Sequence, residues 1–244
     1  MANKKKKMSS QKQALKKQAK ERKRRIQALT FWTAIIVLLG GGLYYMSTLS
    51  DEQAKPADEN VFNYENQPVI GNPDAPVKIV EFGDYKCPVC QQFAEHIFPQ
   101  LKRDFLDTGK AGMYFIDNPF IGEDSVTAGM AGEAVYRQKP EAFWAFYEAV
   151  YANQGSEADE WATVPFLVEL AKKVVPEIDH VRMERELNDQ TYKEAVMADR
   201  EIARKLGVDS VPTLFINGKK VDENVVFDYA ALKKLIEEAS EESR

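Results

Sequence analysis

The sequence predicts an α/β domain interrupted by a block of helices and preceded by one transmembrane helix. Three observations lead there. Short segments of alternating β-branched residues, Val77–Phe82 and Thr213–Ile216, flank the domain's interior. Four stretches of helical periodicity lie between them. Near the N-terminus, Ile26 to Ser50 contains no charged residue.

Composition supports a folded chain: 44% of the 244 residues are hydrophobic and 29% charged, which excludes a disordered, collagen-like or polytopic membrane protein. The net charge of −5 conceals a division. Residues 1–30 hold 12 of the 33 Lys/Arg but only Glu21 of the 38 Asp/Glu, a balance of +11, so the remainder carries −16. A domain of that charge would repel polyanionic phosphate, and no nucleic-acid partner is expected. A basic tail that binds nucleic acid or anionic lipid is the other reading of residues 1–25, weaker than a topology signal.

About 20 apolar residues at ~1.5 Å rise cross a ~30 Å hydrocarbon layer, and residues 26–50 are long enough. Trp32 and Tyr44-Tyr45 suit the two interfaces. The upstream cations place the N-terminus in the cytoplasm by the positive-inside rule, which puts residues 51–244 outside the cell membrane. No small-x-small cleavage site follows and no Cys follows, so the segment reads as an uncleaved single-pass anchor rather than a signal or lipoprotein peptide. Residues 51–66 read as a polar linker and 67–244 as the outer domain.

Within that domain, the turn signal Gly71-Asn72-Pro73-Asp74-Ala75-Pro76 precedes the first strand. Pro88 to Asp107 shows helical spacing through Phe93, Ile97, Leu101 and Phe105, with Pro99 expected to kink it. Ala111–Ile116 is a second strand. Helical segments follow at Val126–Tyr136, Ala142–Ala152, Val164–Val174 and His180–Leu187, an insertion of about 124–190. Its aromatic residues Phe143, Trp144, Phe146, Tyr147 and Tyr151 read as core rather than a cofactor box. A helix over Tyr192–Leu206 ends at Gly207, and Asn217-Gly218 turns the Thr213–Ile216 strand into Lys219-Lys220-Val221. A helix over Tyr229–Ala239 closes the domain.

Both cysteines of the chain stand together as Cys87-Pro88-Val89-Cys90, where strand passes into helix. Unpaired N–H groups and the positive dipole end at a helix N-terminus stabilise a thiolate at Cys87. Lys86 is expected to add a cation, and Pro88 suits the first turn. Cys90, one turn along, is placed to resolve a mixed disulfide. A structural disulfide closing so short a loop would contribute only about 2 kcal/mol. A zinc site lacks a second pair, since His96 and His180 have no finger-like spacing. Inert thiols seldom stay free in an oxidising compartment. Redox activity is the reading that remains. Glu81, six residues before Cys87, either faces solvent or lies buried beneath the cysteines, where its pKa should rise and it could exchange a proton with Cys90. Pro212 before a strand is ordinary, and trans is its default.

The segments Gly71–Cys90 and Val211–Gly218 resemble the DsbA family of thioredoxin-fold proteins, and more closely the BdbD-type thiol-disulfide oxidoreductases that Gram-positive bacteria anchor outside the membrane. The resemblance covers residues 66–240. It implies a thioredoxin fold with a helical-bundle insertion, Cys87 as nucleophile, Cys90 as resolving thiol, Glu81 as buried acid and Pro212 as a cis-proline. Pro88, Val89, Val211 and Thr213 would contact substrate. It further implies an enzyme that introduces disulfides into reduced secreted or surface proteins, as a monomer, with no cofactor for the exchange. An integral-membrane, quinone-linked partner would reoxidise it. A structural Ca²⁺ held by Gln67, Glu133 and Asp199 is part of the same expectation. Strongly oxidising members carry His where this chain has Val89, which predicts a milder oxidant. A reductase or isomerase, or a non-catalytic chaperone or binding module on the same scaffold, are the competing functions.

Overall fold

Five strands pair into one sheet in the computed structural model, which describes residues 56–243. They are β1 (Val69–Gly71), β2 (Val77–Gly83), β3 (Ala111–Asp117), β4 (Thr213–Ile216) and β5 (Lys219–Lys220), in spatial order β1-β3-β2-β4-β5. Only β2 and β3 run parallel, Glu81 lying opposite Phe115, and the other pairs are antiparallel. The parallel pair requires a crossover, which α1 supplies, running from Pro88 to Leu106. Asn217 and Gly218 both have positive φ (46° and 75°), the geometry a two-residue turn with Asn-Gly adopts between β4 and β5.

Alternation along the strands divides the apolar residues into two cores. Val77 and Ile79 of β2, Met113 and Phe115 of β3, and Leu214 and Ile216 of β4 belong to the larger one. Val80, Phe82, Tyr114, Ile116 and Phe215 belong to the smaller. Side chains two residues apart share a face, so Glu81 lies on the side of Ile79, towards the larger core.

The helices of the domain are α2 (Glu123–Gln138), α3 (Phe143–Ala152), α4 (Val164–Val174), α5 (His180–Asn188), α6 (Lys193–Lys205), α7 (Glu223–Val226) and α8 (Tyr229–Glu242). The block from α2 to α5 is the helical insertion. Its buried Phe143, Trp144, Phe146, Tyr147 and Tyr151 pack with Phe93, Ile97 and Leu101 of α1 and with Leu232 and Ile236 of α8 in the larger core. Ile202 and Ala203 of α6 cover the opposite face of the sheet.

Several expectations change in detail. Residues 1–55, which include the basic tail and the predicted span 26–50, lie outside the described residues, as does residue 244. Among the described residues no helix is long and apolar enough to cross a membrane. The stretch 51–66 is not linker throughout. Its residues Glu59–Phe62 and Tyr64–Asn66 form 3-10 turns, and Phe62 is fully buried against Phe82 and Phe215. Burial of that ring favours folding these residues onto the sheet over leaving them in solvent.

Around Pro99, where a kink is expected, the helix continues with altered turns. The turns Phe93–Ile97 and Lys102–Leu106 widen to π geometry between the α-helical turns Pro88–Gln92 and Phe98–Leu101. The Phe98 N–H reaches back to Phe93, so the first wide turn closes just before the residue that lacks a donor. Strand β1 and helix α7 were not legible beforehand.

Candidate active site

Cys87 occupies the N-cap of α1, with extended backbone (φ −75°, ψ 119°) and Pro88 in the first turn. Its N–H donates to the Asp84 carbonyl at 2.9 Å, and its own carbonyl accepts from Gln91 N at 3.1 Å. Asp84 organises the loop. Its carboxylate accepts from Lys86 N at 2.9 Å and from the N–H groups of Phe120 and Ile121 at 3.0 and 3.1 Å. The loop after β2 is thereby tied to the loop after β3.

The helical insertion holds the same loop from the other side. Gln154, following α3, donates Nε2 to the carbonyls of Tyr85 and Cys87 at 2.8 and 3.1 Å. Gln91 of α1 donates to the Tyr151 carbonyl at 2.9 Å. Gly83 leaves room for this packing, because a Cβ there would lie 2.5 Å from the Phe115 ring and 3.1 Å from the Tyr151 hydroxyl.

Both thiols are free, and their environments differ. The Cys87 pKa falls from 9.0 to about 7. A hydrogen bond from the Cys90 thiol lowers it most, burial opposes that, and the N–H groups of Cys90 and Val89 lower it further, with Asp84 raising it. Cys90 is fully buried, and burial, followed by its bond to Cys87, pushes its pKa well above the ordinary value. The pair therefore holds one thiol that ionises near neutral pH, itself only 7% exposed, and one fully sequestered thiol. Val89 between them is 43% exposed, so the motif reaches the surface where a substrate can meet it.

Glu81 is buried on the central strand, beneath the cysteines rather than at a solvated edge. Burial raises its pKa from 4.5 to about 8, a hydrogen bond from Tyr147 works against that rise, and the Cys87 charge adds to it. The Tyr147 hydroxyl donates to Oε2 at 2.8 Å, whereas Oε1 has no hydrogen-bond partner. The Val211–Pro212 peptide bond is cis. The Val211 carbonyl lies 3.5 Å from the Cys87 sulfur, and Thr213, also buried, donates its hydroxyl to the Ser210 carbonyl at 2.8 Å.

Lys86 does not supply the cation expected beside Cys87. Its buried Nζ is 2.7 Å from Asp124 Oδ1 on α2 and donates to the Asp159 carbonyl at 3.0 Å. A buried ammonium needs partners, and the insertion provides two, one of them a carboxylate. Thiolate stabilisation thus comes from the helix terminus and Cys90.

The residues expected to hold calcium are brought together in part. Gln67 Nε2 donates to Asp199 Oδ1 at 2.8 Å, while Glu133 pairs with Arg137 at 2.9 Å. Asp117, buried beside them, is raised well above the usual carboxylate range by burial and then by the Asp199 and Glu133 charges. Among the described residues no three or more His, Cys, Asp or Glu converge as a metal-ligand group.

Sequence reasoning missed Tyr147, Gln154, Asp84 and Asp124 as members of the site. Tyr147 reads from its spacing as part of the aromatic core, and it is core. The signal available was chemical: a buried tyrosine needs a partner for its hydroxyl, where phenylalanine does not.

With this geometry in place, similarity to known proteins becomes specific. A family model described as thioredoxin matches residues 63–238. The "Probable disulfide bond formation protein D" of Bacillus cereus is 37% identical over 213 residues, covering 87% of this chain and 96% of that protein. The disulfide bond formation protein D of Bacillus subtilis is 35% identical over 189 residues, covering 76% and 82%. The crystal structure of oxidised BdbD from Bacillus subtilis matches with a TM-score of 0.70 and 33% identity over 78% of this chain and 97% of that one. Chlamydia trachomatis DsbA matches at 0.63 and 25% identity, covering 70% and 90%.

Proposed function

The chain belongs to the thioredoxin family of disulfide bond formation proteins, and on that premise we propose that it introduces disulfides into reduced secreted or surface proteins at the outer face of the cell membrane. It is a protein thiol-disulfide oxidoreductase acting through Cys87 and Cys90. The observation that carries the exchange chemistry is the contrast between the two thiols, Cys87 lowered to about 7 and Cys90 raised, while the direction of transfer rests on similarity to disulfide bond formation proteins.

That contrast orders the steps. A substrate thiolate attacks Cys87 of the Cys87–Cys90 disulfide, the bond between the cysteines breaks, and Cys90 leaves and takes a proton. Glu81, buried nearby with a pKa of about 8, is the acid suited to give it. The second substrate thiolate then attacks the substrate sulfur of the mixed disulfide. Cys87 leaves as a thiolate already stabilised by its helix terminus, which favours release of oxidised substrate. The Val211 carbonyl 3.5 Å from the sulfur and the exposed Val89 side chain support a substrate-contacting rim of Pro88, Val89, Val211 and Thr213.

Residues 26–50 anchor the enzyme, the basic tail stays in the cytoplasm, and a quinone-linked membrane partner restores the disulfide. The support for this placement is the charge division and the uncharged 25-residue run. A structural Ca²⁺ belongs to the same proposal. The buried Gln67 Oε1 lacks a hydrogen-bond partner, and the carboxyls of Asp117, Asp199 and Glu133 lie near enough to raise one another's pKa. Oxygen donors of this kind suit a hard cation, which Gln67, Glu133 and Asp199 would hold. Bound there, it would offset buried charge and join the core to the insertion. Loss of thermal stability on chelation, restored by added Ca²⁺, tests it; an unchanged melting curve refutes it.

For the function itself, Cys87→Ser should abolish oxidative refolding of a reduced test protein while the fold persists. An unaffected variant would leave only a binding module. The reduction potential separates oxidase from reductase, and a value as low as ~−270 mV would reverse the proposed direction.

A further inference from the structure

We propose that Tyr147 is a positioning residue for disulfide exchange: its hydroxyl holds Oε2 of Glu81 and so reserves Oε1 as the atom that gives and takes the proton of Cys90. The inference rests on the proposed function and adds to it the part of the insertion that steers the proton.

Glu81 is enclosed on every side by the larger core. From β3 and β4 its cross-strand neighbours are Phe115 and Leu214, neither of which titrates. The titratable groups near it are Cys87 and Cys90 at the start of α1, Tyr85 in the loop after β2, and Tyr147 and Tyr151 on α3. The hydroxyls of Tyr85 and Tyr151 have no hydrogen-bond partner, so neither touches the carboxyl. Tyr147 alone among these phenols does, at 2.8 Å.

A phenol in that position has one role to play in each protonation state. Burial pushes its own pKa well above 10, so it remains an O–H donor. When Glu81 is ionised, the bond fixes one oxygen and leaves the other without a partner. When Glu81 is neutral, Oε2 still accepts from Tyr147, so the carboxyl proton belongs on Oε1.

The exchange then balances. In the forward direction the Cys87–Cys90 bond breaks as substrate sulfur bonds Cys87, and the proton on Oε1, which has no direct partner, passes through one water to the departing Cys90 thiolate. In the reverse direction Oε1 takes the proton from Cys90. The thiolate so formed attacks Cys87, the disulfide closes, and the mixed-disulfide partner leaves as a thiolate. A carboxyl free to rotate would present either oxygen, and the tyrosine removes that freedom.

Tyr147→Phe keeps the ring and deletes the hydroxyl. The bond favours the ionised form of Glu81, the form that takes the Cys90 proton, so its loss should move the acid limb of the resolution rate upward by about one pH unit. At pH 7 the Cys90-dependent closure should slow by roughly five- to tenfold and recover at higher pH. In a Glu81→Gln background the same change should have no further effect on the profile. The wild type gives a second readout by infrared difference titration, with the Glu81 carbonyl band identified by its loss in Glu81→Gln. That band should show a hydrogen-bonded carbonyl. An unshifted profile in Tyr147→Phe, an equal shift without Glu81, or a free-carbonyl band in the wild type would each overturn the proposal. A wild type that exchanges no thiols would instead overturn the function on which it rests.

Discussion

The sulfur of Cys87 lies 3.5 Å from the carbonyl oxygen of Val211, a residue 124 positions later in the chain. The loop leading into β4, the strand paired beside β2, therefore meets the nucleophile at the N-terminus of α1. The partners lowering the Cys87 pKa are Cys90 and the N–H groups of Cys90 and Val89, and no side-chain cation is among them.

Titration of Cys87, followed by thiolate absorbance, should consequently give a midpoint near 7. Val89 is 43% exposed, so Val89→His can be accommodated without crowding the core. The added imidazolium should lower the midpoint by about one unit or more. A unit in the pKa of the nucleophile corresponds to about 30 mV towards a stronger oxidant. If neither quantity moves, helix and backbone donors already saturate the effect and the milder-oxidant reading fails.

Lys86→Met should leave the Cys87 titration in place, because the ammonium is engaged with Asp124 and the Asp159 carbonyl. The cost should appear in stability instead. Removing one partner of a buried pair costs about 3–5 kcal/mol, and Asp124→Ala should do the same. Replacing both by apolar residues should restore much of the loss. Urea unfolding of the two single variants and the double variant checks this.

Glu81 should make stability depend on pH in a direction unusual for a carboxylate. Its folded pKa, about 8, lies above the ordinary 4.5. The stability it contributes is fully present below pH 4.5 and is lost as pH rises through 8, by an upper limit on the order of 5 kcal/mol. Cys87 acts oppositely between about 7 and 9, since its folded pKa is depressed. Measuring in a Cys87→Ser background removes that contribution. There, Glu81→Gln should flatten the decline, and a decline of equal slope in both proteins would assign it elsewhere.

Phe62→Ala should destabilise the domain by about 3–5 kcal/mol, as deletion of a buried ring does. A linker residue would change it by less than about 0.5 kcal/mol. Chemical denaturation of residues 56–244 with and without the substitution distinguishes the two.

What the sequence revealed divides by range. Periodicity located α4 at its observed bounds and β4 likewise, because each is fixed by neighbours within a few residues. The redox pair was legible because both cysteines and the strand-to-helix change are local. Strand β1 is three residues between Pro68 and Asn72, too short for any alternation, and it exists through pairing with Met113 and Tyr114. The turns around Phe62 likewise depend on rings at Phe82 and Phe215. Lys86 was assigned to Cys87 by adjacency, whereas its partner is 38 residues away. Tyr147 meets Glu81 across 66 residues, and no local pattern distinguishes its hydroxyl from the phenylalanines around it.

The two bonds from Gln154 to the carbonyls of Tyr85 and Cys87 carry a further consequence. The amide that steadies the nucleophile's backbone comes from beyond α3, outside the strands and helices that would make up a minimal redox core. Trimming the chain to that core would leave both carbonyls without this donor and would also remove Asp124 from Lys86. The insertion is thus one wall of the reactive site. A displacement of the helical block, by mutation or by a partner pressing on it, would be felt at the sulfur before it reached the sheet.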